Sequence, residues 1–385
     1  MSKFAFKPIS ETTLLLLASL FILATHNFGY YSNVLHTYAS HDLLWFKLLL
    51  LSVLHGGLIF IFIGLLGFGR LFKGLLAGLL VFSASTAYFT DTYNVIIDVD
   101  MIDNTLKTDP EEVRDLLSIQ QALYILLLGI APAWLVIRMP LQVKSWGQVV
   151  VRRIVSLTVA TLVTVGTLLV SADFYATYIR EHANLRYYSN PLNPIYELGM
   201  YINQEYIAAG PQAFQIIAPN ATSQANSSNS KPKLTIVVAG ETLRADHFGL
   251  NGYQRNTTPL LTQEQATGQL LNYTNVSSCG TSTAFSLPCM FSVQPRTGFN
   301  KQQANNMENS LDILQKTGTQ IVWIDNNSSS KGVADRVTYL NAKSPNTNPI
   351  CTPECRDVGM LPIAEQWLDQ QTPSDNKLIV LHQMG

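Results

Sequence analysis

Five long apolar stretches in the first half of the chain constrain the fold more than any other feature. They cover residues 12–31, 43–66, 74–91, 119–137 and 154–176. A helix needs about 20 apolar residues to cross a bilayer. No clean small-residue cleavage site follows the first stretch, which argues against a signal peptide. The sequence therefore predicts a transmembrane domain of five spans within residues 1–176.

The basic residues of the short loops predict the orientation of these spans. Lys3 and Lys7 precede the first span, whereas the loop 31–42 has no Lys or Arg. The loops after the second and fourth spans are basic and contain Arg70, Lys73, Arg138, Lys144, Arg152 and Arg153. Cytoplasmic loops of membrane proteins are enriched in Lys and Arg. We therefore expect a cytoplasmic N-terminus and a C-terminal half outside the cytoplasm.

Composition excludes two other classes of protein. The formal net charge is −1, whereas domains that bind nucleic acid by bulk electrostatics are strongly basic. The chain is 47% hydrophobic, too apolar to be disordered over most of its length. Residues 177–233 are predicted to form an interfacial connector, whose Ser- and Asn-rich part at 220–233 is the expected linker.

The last part of the chain, residues 234–385, has the pattern of an α/β domain. Short β-branched runs at 234–240, 320–325 and 377–382 alternate with helix-like segments. This pattern predicts a mainly parallel sheet, whose functional site lies beyond the carboxyl ends of its strands. Glu241, Asp325 and His382 stand at those ends.

All four cysteines, Cys279, Cys289, Cys351 and Cys355, follow the last span. An even number of cysteines in a segment outside the cytoplasm predicts disulfides, and short spacing favours the pairs 279–289 and 351–355. A structural zinc site is the alternative, which the lack of a Cys-x2-Cys motif disfavours.

Two segments contain residues suited to phosphate chemistry. Glu241 closes a predicted strand, and a carboxylate there could bind a metal or simply begin a helix. Thr283 lies in a run of hydroxyl residues ahead of an apolar helix-like segment. A hydroxyl at a helix start could be an activated nucleophile beside phosphate-binding N–H groups, or a simple N-cap.

Several motifs together resemble the bacterial phosphoethanolamine transferases, which include lipid A modifying enzymes and mobile colistin-resistance proteins. The matches in the C-terminal half are VVAGETLRAD at 237–246, NGY at 251–253, SCGTSTA at 278–284, PCMFS at 288–292, DNNS at 325–328, SKGV at 330–333, ECRDVGM at 354–360 and LHQMG at 381–385. YYSNP at 187–191, MIDN at 101–104 and TDP at 108–110 match in the first half. The resemblance therefore covers the whole chain.

The resemblance implies five spans and a periplasmic domain of the alkaline phosphatase and sulfatase fold. It implies that Glu241 and Thr283 bind Zn²⁺, and that Thr283 is the nucleophile. Thr283 would take phosphoethanolamine from phosphatidylethanolamine as a phosphothreonine and pass it to a glycolipid, commonly lipid A, as in polymyxin resistance. Ser330, Lys331 and His382 are expected at the substrate phosphate, and Asn104, Thr108 and Glu112 at the lipid head group.

The same resemblance implies further histidines after residue 385, so the chain as given is expected to be truncated, short of zinc ligands and inactive. We also expect the strand of His382 to have an uncovered edge. Two alternatives stay open at this point. One is another enzyme of the same fold, such as a phosphoglycerol transferase or a sulfatase-like hydrolase, and the other is an inactive membrane fragment.

Overall fold

The computed structural model describes residues 7–39, 43–107, 117–207, 213–223, 231–351 and 354–385. The chain divides into two compact units. Residues 1–106 and 110–209 form the membrane unit, and residues 107–109 and 210–385 form the soluble unit. The predicted α/β domain begins at 234, whereas the soluble unit already includes 213–223, which packs on Met307 and Glu308.

The described part of the membrane unit is helical. Its helices are α1 (Glu11–Thr25), α2 (Phe28–Tyr38), α3 (Leu44–Gly64), α4 (Gly69–Tyr93), α5 (Val99–Lys107), α6 (Ile119–Arg138, with a π-turn at Leu126–Ile130), α7 (Trp146–Val170), α8 (Ala172–Glu181) and α9 (Leu192–Ile202). Four of them, α3, α4, α6 and α7, are each long and apolar enough to cross a membrane. The third predicted stretch, 74–91, lies inside the longer α4.

The first predicted span is not one straight helix. α1 and α2 meet at an angle of 56°, and together they would be the fifth span. The hydropathy of residues 12–31 shows no sign of this break, which side-chain hydrogen bonds stabilise. Asn27 Nδ2 donates to the carbonyl of Ile22 at 3.1 Å and to the carbonyl of Asn190 at 2.8 Å.

Asn190 completes a buried polar cluster at this break. Its backbone N–H donates to Asn27 Oδ1 at 2.8 Å, and its side-chain amide donates to the carbonyls of His26 and Ser83. Thr86 donates to Asn190 Oδ1 at 2.9 Å. The connector after the last span is thereby fastened to α4 and to the junction of α1 and α2.

The soluble unit is an α/β domain with a four-stranded parallel sheet among the described residues. Its strands are β1 (Leu234–Ala239), β2 (Gln320–Asp325), β3 (Thr338–Asn341) and β4 (Lys377–His382), in the order β1-β4-β2-β3. Its helices are α10 (Pro259–Ala266), α11 (Thr283–Phe291), α12 (Lys301–Asn305), α13 (Ser310–Lys316) and α14 (Met360–Asp369).

Helices cover both faces of this sheet. Trp323 and Val380 point to one face, where they pack with Leu287 of α11 and Leu311 of α13. Their neighbours along the strands point to the other face, against α14. Strands buried on both faces explain why β2 and β4 are continuous apolar runs. The predicted fold class is thereby confirmed.

The expectation about the strand of His382 is wrong. β4 lies between β1 and β2 and pairs with both along its whole length, so neither of its edges is open. The side chains of Leu378, Val380 and Leu381 are buried rather than exposed. The expectation assigned one edge of this strand to strands that follow residue 385 in the family, but a parallel sheet built through crossovers can place a late strand between two earlier ones.

Candidate active site

The strand register brings the polar strand ends together. Ala239, His382, Asp325 and Asn341 are neighbours across the sheet, at the last position of β1, β4, β2 and β3 respectively. Because all four strands are parallel, their carboxyl ends form one edge. Glu241, two residues beyond β1, belongs to the same edge, as expected for the site of a parallel α/β sheet.

Glu241 and Thr283 are in direct contact at this edge. Thr283 Oγ1 donates a hydrogen bond to Glu241 Oε2 at 2.8 Å, although 42 residues separate them in sequence. Both side chains are partly exposed, so a ligand can reach them. The pair that the motifs single out is therefore also a pair in space.

Thr283 is the first residue of α11. Ser282 is the N-cap residue in an extended conformation, and its hydroxyl makes no capping hydrogen bond within the part of the chain described. The first-turn N–H groups and the positive end of the helix dipole therefore lie next to the Thr283 hydroxyl. Such a helix start favours negative charge, including that of a phosphate group.

A disulfide fixes the approach to this helix. Cys279, in the loop before α11, is bonded to Cys289 within the helix, so Thr283 lies in the loop that the disulfide closes. Leu287 and Phe291 bury the other side of α11 against the sheet. Cys351 and Cys355 form the second disulfide, and no cysteine is free. The predicted pairs are confirmed, and the alternative of a cysteine zinc site is rejected.

Asp325 is the centre of a buried hydrogen-bond network at the sheet edge. Its Oδ2 accepts from Trp323 Nε1 at 2.7 Å and lies 3.0 Å from His382 Nδ1. Its Oδ1 accepts from the backbone N–H of Asn327 at 2.9 Å. Burial alone would raise the pKa of the Asp325 carboxyl, but the hydrogen bonds from His382, Trp323 and Asn327 outweigh it and lower the pKa. Asp325 is thus a carboxylate that orients the His382 ring.

Asn327 connects this network to Glu241, and sequence reasoning gave it no role. Its side-chain amide donates to Glu241 Oε2 at 3.2 Å and to the carbonyl of Gln383 at 2.7 Å. It is 7% exposed. The DNNS motif, which begins at the last residue of β2, was the available signal, since residues just beyond a strand end lie at the site edge. Oε2 of Glu241 therefore accepts from both Asn327 and Thr283.

The other predicted site residues lie in different surroundings. Ser330 is 4% exposed, and its hydroxyl accepts from the N–H of Ala334 at 3.1 Å. Lys331 is partly exposed and has a left-handed backbone with φ of 51°. His382 is 1% exposed. Asn104 lies in α5 of the membrane unit, and Thr108 and Glu112 fall outside the described residues.

The donor atoms at the edge can be compared with what a zinc ion needs. Glu241 and Thr283 offer a carboxylate and a hydroxyl oxygen side by side, and carboxylate oxygen is an ordinary zinc ligand. Within the described ranges, no three His, Cys, Asp or Glu side chains are grouped to hold a metal. A catalytic zinc takes three protein ligands. The pair is of a chemical type that zinc can bind, and it offers two of the three ligands that a catalytic zinc needs.

Comparison with known families gives two matches that follow the division into units. The family model of the phosphoethanolamine transferases EptA/EptB matches residues 56–206. The sulfatase family model matches residues 233–385. The first match lies in the membrane unit and the second in the soluble unit with the Glu241–Thr283 pair.

Individual proteins resemble the chain over nearly its whole length. The phosphatidylethanolamine transferase Mcr-1 of Escherichia coli is 38% identical over 388 residues, which cover 98% of this chain and 71% of Mcr-1. The phosphoethanolamine transferase EptA of Escherichia coli K12 is 32% identical, covering 96% of this chain and 67% of EptA. The structure of the integral membrane lipooligosaccharide phosphoethanolamine transferase EptA from Neisseria meningitidis superposes with a TM-score of 0.89 at 26% identity, covering 98% of this chain and 70% of that one.

Proposed function

The chain belongs to the phosphoethanolamine transferase family of Mcr-1 and EptA, and from this premise we propose that it moves phosphoethanolamine from phosphatidylethanolamine to lipid A. The observation that carries the proposal is the 2.8 Å hydrogen bond between Thr283 Oγ1 and Glu241 Oε2 at the start of α11. It unites a nucleophile, a proton acceptor and a helix terminus suited to phosphate.

In the first half-reaction, Thr283 Oγ1 attacks the phosphorus atom of phosphatidylethanolamine. The new bond is O–P, and the bond from phosphorus to the diacylglycerol oxygen breaks. Glu241 Oε2 holds the hydroxyl proton of Thr283, which passes to the departing diacylglycerol oxygen. In the second half-reaction, a phosphate oxygen of lipid A attacks the phosphorus atom of the phosphothreonine, and the bond from phosphorus to Thr283 Oγ1 breaks. The proton of the attacking phosphate group passes through Glu241 Oε2 to Thr283 Oγ1, which restores the hydroxyl.

We assign Glu241 and Thr283 as protein ligands of a zinc ion. When bound, zinc lowers the pKa of a coordinated hydroxyl and neutralises the oxygens of a phosphoryl group. Asn327 holds Glu241 Oε2 in position through its amide. The positive end of the α11 dipole adds further stabilisation to negative charge that develops beside Thr283.

Three further residues are proposed to bind the substrate phosphate. Lys331 supplies the positive charge, since its ammonium group can neutralise a phosphoryl oxygen. Ser330, which precedes it, bonds the N–H of Ala334 and so holds the start of the turn that carries Lys331. His382 is oriented by Asp325 and would act from the buried side of the edge. Asn104, Thr108 and Glu112 are proposed to receive the donor head group.

The cellular location and the membrane orientation of the protein are also part of the proposal. We propose that the protein lies in the bacterial inner membrane, with the N-terminus in the cytoplasm and the soluble unit in the periplasm. The alternating basic loops support this orientation, and the two disulfides support an oxidising compartment. Both lipids named in the reaction would be reached from that side.

The test is the change Thr283→Ala in the product of the natural gene, expressed in a polymyxin-sensitive host. We expect phosphoethanolamine on lipid A to fall to the empty-vector level, because the nucleophile is lost. Mass spectrometry of the parent should find phosphoethanolamine on Thr283. Ser282→Ala is the matched control and should retain transfer, since Ser282 is a neighbouring hydroxyl for which no bond to Glu241 is found among the described residues. An adduct on Ser282, or unchanged transfer by Thr283→Ala, would refute the proposal.

A further inference from the structure

A basic cavity lies at one end of the membrane unit, and none of the site residues assigned above lines it. Its volume is about 580 Å³, and it is lined where α4 begins, where α6 ends and along the loop to α7. Small-molecule sites commonly have volumes of about 300–1,000 Å³. One acidic side chain, Glu11, lines it. Four cationic side chains also line it: Arg70, Lys73, Arg138 and Lys144.

Glu11 does not neutralise these cations, because it is engaged elsewhere. Its Oε2 accepts from Arg153 at 3.0 Å, and its Oε1 accepts from the N–H of Gly69 at 2.9 Å. Arg153 is 2% exposed and stabilises the carboxylate from behind the cavity. The charge of Glu11 is therefore balanced by a buried partner, and the lining keeps an excess of positive charge.

The cations differ in what they already bind. Lys73 Nζ donates to the carbonyls of Ile137 and Met139 at 2.6 and 2.8 Å, so it caps the end of α6. Arg70, Arg138 and Lys144 have no carboxylate partner within the described ranges. Three cations that share a cavity without a counter-ion repel one another. An anionic group bound between them would relieve that repulsion.

The apolar part of the lining indicates what kind of anion fits. Trp146 lines the cavity beside Val149 and is 67% exposed. Leu71, next to Arg70, is 64% exposed. Exposed Trp and Leu side chains at the end of apolar helices are typical of the boundary between head groups and acyl chains. The ligand should therefore carry both a phosphate group and hydrocarbon.

We propose that this cavity binds the head group of an anionic phospholipid. Its phosphate lies among Arg70, Arg138 and Lys144, and its acyl chains lie against Trp146. Basic pockets between transmembrane helices on the positively charged side of membrane proteins bind acidic lipid head groups. A zwitterionic lipid fits less well, because its ammonium group would meet the same cations. The site is therefore separate from that of the donor lipid.

Native mass spectrometry of the detergent-purified protein tests this, with phosphatidylglycerol and phosphatidylcholine of identical acyl chains. We expect phosphatidylglycerol to be retained about fivefold more than phosphatidylcholine. One cation near a membrane surface contributes about a factor of five to the attraction of acidic lipid, so Arg70→Gln with Lys144→Gln should lower retention by about 25-fold. Arg152→Gln is the control and should change retention by less than about twofold. Arg152 is exposed and lies near the same end of α7, but it does not line the cavity.

A second measurement does not depend on the folding of a charge variant. The fluorescence of Trp146 is obtained as the difference between the parent and Trp146→Phe. Phosphatidylglycerol with brominated chains should quench this fluorescence more strongly than phosphatidylcholine with brominated chains. Equal quenching by the two lipids would overturn the proposal, as would equal losses in Arg152→Gln. Displacement of phosphatidylglycerol by inorganic phosphate at equal concentration would show a site for a phosphate ion and would also overturn it.

Discussion

At the scale of single residues, the candidate site depends on a few buried hydrogen bonds that hold two partly exposed side chains, Glu241 and Thr283. Asp325 anchors the ring of His382 and the backbone of Asn327, and Asn327 in turn contacts Glu241. A substitution of Asp325 should therefore alter the position of the Glu241 side chain, although the two carboxylates do not share a hydrogen bond in the described network. Rigid support of this kind keeps a reactive pair in one geometry.

Asp325→Asn should destabilise the soluble unit in a pH-dependent way. At pH 7 we expect a loss of about 1–3 kcal/mol in the free energy of unfolding, since the hydrogen bonds to His382 and Trp323 are weakened. The pKa of Asp325 is lowered by folding, so its stabilising effect is complete above the unfolded pKa of about 4. It is lost as pH falls through the folded pKa.

The difference between the parent and Asp325→Asn should accordingly shrink on acidification below about pH 4. Hydrogen exchange of the β2 and β4 amides in detergent-solubilised protein measures it. Asp312→Asn is a useful control, because Asp312 of α13 is paired with Arg336, outside the network. A difference that stays constant across this pH range would contradict the assigned role of Asp325.

At the scale of secondary-structure elements, α11 is held from two sides. Its apolar residues pack on the sheet, and the disulfide from Cys279 to Cys289 closes the loop that leads to Thr283. Cys279→Ser with Cys289→Ser should lower the free energy of unfolding by about 2–3 kcal/mol, because a loop of this length is freed in the unfolded chain. Thermal unfolding with and without reductant measures the effect. Reductant should lower the melting temperature of the parent more than that of the Cys279→Ser, Cys289→Ser variant. If instead only the Cys351→Ser, Cys355→Ser variant became insensitive to reductant, the stabilising role of the 279–289 disulfide would be contradicted.

The break between α1 and α2 depends on the amide of Asn190. Asn190→Ala removes its side-chain hydrogen bonds with His26, Ser83 and Thr86 and should cost about 1–3 kcal/mol in the stability of the membrane unit. Asn193→Ala is the matched control, since Asn193 Nδ2 donates to the carbonyl of Ile97 alone among the bonds described. Melting temperatures in detergent compare the two. An equal shift in both variants would argue against this cluster.

Sequence reasoning found the elements that have a strong local signal. β1, β2 and β4 were predicted from their β-branched runs, since two of the three are buried on both faces and the third is flanked by turn residues. β3 (Thr338–Asn341) was missed because it is short and mostly exposed, so its composition resembles that of a loop. The bend at Asn27 was missed because its cause, the amide of Asn190, is distant in sequence.

The site itself was predicted only in part. Local position made Glu241 and Thr283 candidates, but only the family resemblance paired them, since no local rule joins residues so far apart. The contact follows from the strand register, which sequence periodicity does not give. Asn327 shows the same limit, because its role depends on where Gln383 and Glu241 meet in space.

At the scale of the whole molecule, the charges of the loops predict the orientation in the membrane. Alkaline phosphatase fused after Lys7, Arg70 or Lys144 should be inactive, because those positions are expected in the cytoplasm. Fusions after Asp42, Lys107 or Lys233 should be active. Loops rich in Lys and Arg alternate along the chain with loops that are poor in them, and the basic loops are expected on the cytoplasmic side. Activity of the fusion at Lys144 would show that the five-span arrangement is wrong.

In the proposed periplasmic location, the position of β4 between β1 and β2 sets the order in which the soluble unit can form during export. Among the described strands, β1 pairs with β4 alone, and β2 has β3 and β4 as neighbours. β1 emerges early but has no partner until residues 377–382 have crossed the membrane. Contacts so distant in sequence slow folding. The exposed backbone edge of β1 should meanwhile attract periplasmic chaperones and proteases, so the speed of translocation affects how much protein matures.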